Sequence, residues 1–188
     1  MIDSILNYLN NGGAITFFVL GLLSIYLVLT IWIFSYKYMS LTALVNNEKK
    51  SLESLINRGM GINPLSSLSR CVSPEGTTSK EILGACEISL IREASTGISW
   101  LSIVSSTSPF VGLFGTVVGI LESFSKFSTQ SKVSFSVIAP AISEALVATA
   151  AGIFVAIFAY TFHQLITRKI YEFDTYLKAQ TKILVAKG

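Results

Sequence analysis

Three residues of this 188-residue chain could handle a proton inside an apolar segment: Glu144, Thr116 and Thr149. Glu144 is the sole acid in an otherwise uncharged run from Val133 to Ile166. A carboxylate at the bilayer centre costs roughly 2.5–3.5 kcal/mol on insertion scales, so it marks an ion or substrate path. The neighbouring uncharged run, Ala94 to Leu121, offers no Lys or Arg to neutralise it. Glu144 must therefore be protonated, face water, or meet a partner on another chain. A threonine hydroxyl donates and accepts at once, which suits Thr116 and Thr149 to an ion path, although each can also bond its own i−4 carbonyl. A helix starting near Phe135 puts Glu144 about 14 Å along its axis at 1.5 Å per residue.

Other chemistries find little material. The single His163 has no nucleophile or acid beside it in sequence, no glycine loop could cradle a phosphate, and no acid pair suits hydrolysis. The chain does not read as an enzyme, and no cofactor is implied. Cys71 and Cys86 fall in a segment read as cytoplasmic, where thiols stay reduced, and their spacing fits no metal motif. The net charge of +3 comes without a basic patch interleaved with aromatics, so nucleic acid is not an expected partner.

The elements that must carry these residues are membrane helices. The chain is 51% hydrophobic and 13% charged, about half the usual charged share, with a mean hydropathy of +0.62. Its charge pattern predicts an all-α membrane protein with three transmembrane helices, the second and third extended into the cytoplasm. The expected segments are an outer interfacial stretch (1–13), a first span (14–36), a cytoplasmic helical segment (37–98), a second span (99–122), a short periplasmic loop (123–134), a third span (135–166) and a cytoplasmic helical tail (167–188). All of the 14 Lys and Arg except Lys126 and Lys132 lie in the segment from Lys37 to Glu93 or the tail from Arg168. By the positive-inside bias the N-terminus is periplasmic and the C-terminus cytoplasmic. Trp32, Tyr36 and Tyr38 anchor the inner end of the first span, whose bulky residues (Phe17, Phe18, Leu22, Leu23, Leu27) predict a lipid-facing position. Leu41, Leu44, Val45, Leu52, Leu55 and Ile56 give a helical pattern stopping at Gly59. A capping box at Thr78 and Glu81 should start one long helix running unbroken into the second span. Ile166, Ile170, Phe173, Leu177 and Leu184 form an apolar stripe in the tail, beside an Asp174–Lys178 pair.

The second and third spans each carry a face of small residues. Ser105, Ser108, Gly112, Gly115, Thr116, Gly119 and Ser123 fall within about 80° at 100° per residue. Ala141, Ala145, Ala148, Thr149, Gly152, Ala156 and Ala159 share a similar arc. Such faces let helix backbones approach closely in lipid. Pro109 and Pro140 are candidate kinks in these two helices.

The run Ser-Pro-Phe-Val-Gly-Leu-Phe-Gly-Thr-Val-Val-Gly-Ile from Ser108 resembles the second-span signature of the MotA/TolQ/ExbB proton-channel family. The run Ala-Pro-Ala-Ile-Ser-Glu-Ala-Leu-Val-Ala-Thr-Ala-Ala-Gly from Ala139 resembles its third-span signature. Three spans make the chain similar to TolQ and ExbB rather than to four-span MotA. It departs from the family where Val118, Ala141 and Phe158 stand in place of a frequent Trp, Gly and Pro. The resemblance implies a homo-pentamer around a central pore in the bacterial inner membrane, in contact with lipid and housing two copies of a single-span ExbD/TolR-like partner. It places the proton path at Thr116, Glu144 and Thr149, beside a partner's aspartate. The implied function is a motor driven by the proton motive force, powering a TolA- or TonB-like effector. A passive cation channel with a Glu144 ring, or a non-conducting scaffold, are the alternatives. Protons and sodium both suit the residues.

Overall fold

The computed structural model describes residues 14–57, 62–72, 79–127 and 135–187. Among them the chain forms α1 (Ala14–Asn57), a 3-10 turn (Ser67–Arg70), α2 (Lys80–Ser95), α3 (Ser99–Phe127) and α4 (Phe135–Lys187). Three stretches, Thr16–Asn57, Lys80–Ser125 and Ile142–Ala186, are long and apolar enough to cross a bilayer. With 44 and 53 residues, α1 and α4 far exceed the ~20 that a crossing needs. The expected interfacial stretch 1–13, the stop at Gly59, the cap at Thr78 and most of the loop between the second and third spans lie outside the described residues.

The helix expected to run unbroken from Thr78 into the second span is divided. It starts at the Ser79 cap, whose hydroxyl accepts from the Ile82 amide at 3.3 Å, and α2 ends at Ser95. Residues 96–98 then turn through Gly97, which has φ 85°. Only glycine takes that conformation freely, so Gly97 is the residue that breaks the helix. Pro109 and Pro140, by contrast, lie inside α3 and α4 without ending them.

The described chain packs into two compact units. One comprises the chain up to Trp32 together with Trp100–Phe162, the other Ile33–Ser99 with the chain from His163. The first unit is the apolar one. Val19 and Leu23 of α1 pack with Val104 of α3 and with Ala148, Val155 and Ala159 of α4. Leu23 is thus buried rather than turned to lipid, while Phe18, Ile25 and Val28 on the same helix stay exposed.

The second unit is built on the two apolar stripes outside the expected spans. Leu41, Val45 and Leu55 of α1 are buried, as are Ile166, Phe173 and Leu177 of α4. Between the apolar residues of α1 the buried positions are Glu48 and Ser51, and the expected Ile56 is 63% exposed. The Glu48 carboxylate accepts from the Ser66 hydroxyl at 2.7 Å, the Ser67 amide at 2.6 Å and the Gln180 side-chain amide at 2.8 Å. Ser51 donates to the Gln180 carbonyl oxygen at 2.8 Å. Together these bonds fasten the 3-10 turn and α4 to α1. Cys71 and Cys86, expected as separate reduced thiols, are joined in a disulfide with Cα atoms 6.3 Å apart. Folding the 3-10 turn back toward α2 brings them together across a sequence separation of 15.

Candidate proton-path site

The site begins with the two glycines that let α3 and α4 touch. A methyl group added at Gly112 would stand 2.6 Å from the Ala148 carbonyl oxygen, and one at Gly152 would stand 2.5 Å from that of Ser108. Both obstacles are backbone, so neither can move aside. A methyl at Gly115 would meet Val19 of α1 at 2.9 Å and Ala148 at 3.1 Å, and one at Gly119 would meet Ala145 at 3.3 Å. The small faces of the second and third spans therefore pack on each other within one chain. Ala145 and Ala148 are fully buried there, and Ala156 is half-buried farther along. The side chain of Ala141 lies outside the described residues.

Thr116 and Thr149 meet in this seam. The Thr116 hydroxyl donates to the Ala145 carbonyl at 2.8 Å and lies 2.5 Å from the Thr149 hydroxyl. Its own i−4 carbonyl, Gly112, is farther, at 3.4 Å. A hydroxyl has one proton, so with Thr116 committed to Ala145 it is Thr149 that donates between the two. The chain of bonds thus runs from Thr149 through Thr116 and ends on a backbone carbonyl, which cannot pass a proton on. Thr116 is 8% exposed and holds Thr149 in place; Thr149 is half-buried and keeps lone pairs free to accept from a group outside the chain.

Glu144 stands on the other flank. At 100° per residue it lies about 140° around α4 from Thr149 but within about 20° of Val155, which packs with Val19 and Leu23 of α1. Glu144 is half-buried, with Oε1 shielded from solvent. The structure therefore joins two of the three residues singled out, and leaves the acid well around α4 from that pair.

Sequence reasoning missed the part α1 plays. Thr16, 5% exposed, sits at the seam: a methyl at Gly119 would lie 3.6 Å from its hydroxyl oxygen. Thr30 and Ser108 are also buried, at 1% and 0% exposure. A helix apolar all round gives no polarity contrast for periodicity to read, so Val19 and Leu23 looked like their lipid-facing neighbours. A signal was present only in the small residue Thr16 among the bulky ones.

The profile of the MotA/TolQ/ExbB proton channel family matches residues 47–179, a stretch that contains the whole Thr116–Thr149 seam. The chain belongs to this family. Over its full length, and the full length of that relative, it is 42% identical to the ExbB-like 1 biopolymer transport protein of Helicobacter pylori. It is 39% identical over 99 residues to the biopolymer transport protein ExbB of Pseudomonas putida, covering 51% of this chain and 30% of that protein. Over 76 residues it is 45% identical to the Tol-Pal system protein TolQ of Pseudomonas aeruginosa, covering 39% of this chain and 33% of that protein. Members of the MotA/TolQ/ExbB family are channel and transport subunits rather than enzymes. The three apolar helices and these relatives make the chain an inner-membrane protein.

Proposed function

We propose that this chain is the multi-pass subunit of a motor driven by the proton motive force, assembled as a homo-pentamer around two copies of a single-span ExbD/TolR-like partner. Thr149 accepts a hydrogen bond from the protonated carboxyl of that partner, and Thr116 fixes the Thr149 hydroxyl in the accepting orientation. Glu144 is the third residue of the proposed proton path, farther around α4 from the threonine pair. Proton passage through the partner's carboxyl then shifts the partner between two positions, a population shift driven by protonation. The motion is delivered to a TonB- or TolA-like effector for outer-membrane work. The full-length likeness to an ExbB-like transport protein supports the ExbB-type role.

The observation that carries this reading is the Thr116–Thr149 pair. It is a polar contact inside an apolar seam, with one hydroxyl spent on the backbone and the other left able to accept. A pore acid ring has less support, because Glu144 lies about 140° around α4 from the polar seam. Native mass spectrometry of the extracted complex, with and without the single-span partner, tests the proposal. Five copies alone, gaining two partner chains on co-expression, are expected. A dimer, or an oligomer indifferent to every such partner, would sink the motor reading.

A further inference from the structure

The second unit contains a cavity of about 210 Å³. Its floor is apolar, with Leu41 of α1 and Phe173 of α4 buried, and its rim carries Lys37, Arg70 and Glu93. Lys37 is half-buried and lies over the glycine turn: a methyl at Gly97 would stand 3.8 Å from its Cε. Arg70 and Glu93 are exposed. Among the described residues neither Lys37 nor Arg70 makes an ion pair.

The depth of this cavity in the membrane follows from the charges on its rim. Lys37 is the first charged residue after the uncharged run Ser4–Tyr36, and Glu93 is the last before the uncharged run Ala94–Leu121. Tyr36, also on the rim, is an exposed aromatic at the end of its run. The cavity therefore opens where two spanning runs end together, at the level of the phospholipid headgroups.

We propose that this cavity binds the phosphate of a membrane phospholipid. Lys37 supplies a point charge to the phosphate and Arg70 a forked donor, the pairing that suits phosphate oxygens best. Basic pockets at the ends of membrane helices take lipid headgroups in this way. Glu93 adds a carboxylate that matches the ammonium of an ethanolamine headgroup. The volume falls below the ~300–1,000 Å³ of drug-sized ligand sites, so the headgroup enters and the acyl chains stay in the bilayer. A lipid so held would brace α1, the 3-10 turn and α2 at the membrane surface. The inference is independent of the motor reading.

The test uses the full-length complex reconstituted into phosphatidylcholine nanodiscs containing phosphatidylethanolamine or phosphatidylglycerol, then extracted and examined by native mass spectrometry. The wild type should retain one phospholipid per chain, with ethanolamine lipid preferred. The double variant Lys37→Gln/Arg70→Gln should lower retention about thirtyfold, the product of two interfacial cations. Glu93→Gln should keep the lipid and lose the preference for ethanolamine. Ser40→Trp, which fills the mouth without touching a charge, should also empty the site, and it decides the matter if the double variant does not assemble. Equal retention by the wild type and the variants overturns the proposal. So does displacement of the lipid by millimolar inorganic phosphate, which would make the site one for free phosphate.

Discussion

At the residue scale, the Thr116–Thr149 pair separates two roles that a threonine can play in a membrane helix. Interhelical hydrogen bonds of this kind contribute only about 0.6 kcal/mol on average in membrane proteins. Thr149→Val should therefore leave the protein assembled, with effector-dependent function in cells abolished. Thr149→Ser keeps the hydroxyl and should restore most of that function. If the valine variant works normally at wild-type abundance, the pair serves packing alone. Gly112 makes a contrasting prediction. A methyl there meets a backbone carbonyl that cannot yield, so Gly112→Ala should destabilise the first unit by about 1–3 kcal/mol, read as a fall in thermal stability in detergent. The small faces and both threonines were legible in the sequence because 100° spacing lines them up. The separation of Glu144 from Thr149 was legible in the same arithmetic. The burial of Val19 and Leu23 against this seam was not, because a uniformly apolar helix leaves no pattern.

At the element scale, the ends and the internal fastenings of the helices decide the architecture. Gly97 holds the turn between α2 and α3 at φ 85°, and a side chain there costs roughly 1–2 kcal/mol. Gly97→Ala should favour fusing the two helices into the single one that periodicity suggests, detectable as increased amide protection across residues 96–98. The apolar pattern of α1 also misplaced one buried face, since Glu48 and Ser51 occupy it in place of Ile56. Sequence periodicity sees a charge as exposed, and only the fold shows three donors converging on that carboxylate. Glu48→Gln would set a donor against those donors. It should destabilise the second unit by about 1–3 kcal/mol, measured by denaturant unfolding of the extracted protein. On α4, Asp174 hydrogen-bonds the Lys178 ammonium at 2.7 Å and so raises its pKa above the usual lysine value of 10.5, with Glu87 adding a smaller push. A raised folded pKa contributes stability below the unfolded value and loses it as pH climbs through the folded one. The pair therefore gives no pH dependence near neutrality, and Asp174→Asn should shift only the alkaline titration of Lys178, downward, as seen by NMR.

At the scale of the whole molecule, charge distribution and the cysteine pair make opposing demands, and one experiment weighs them. Twelve of the 14 Lys and Arg lie in the segment from Lys37 to Glu93 or in the tail from Arg168, which by the positive-inside bias predicts a cytoplasmic second unit. The same unit holds Cys71 and Cys86, joined in this structure. Their Cα separation of 6.3 Å lies inside the usual disulfide range, so the fold permits the bond in either compartment. The compartment then decides whether the bond persists, since cytosolic glutathione keeps thiols reduced. Orienting a membrane protein depends on charges crossing or failing to cross the bilayer during insertion, long before the cysteines meet, so the charge argument should win. In intact cells both cysteines should react with a membrane-permeant maleimide without added reductant. After extraction in air they should become unreactive as the pair closes. A pair that resists labelling in cells until a reductant is supplied would place the second unit outside the cytoplasm. It would reverse the topology that the charge distribution predicts.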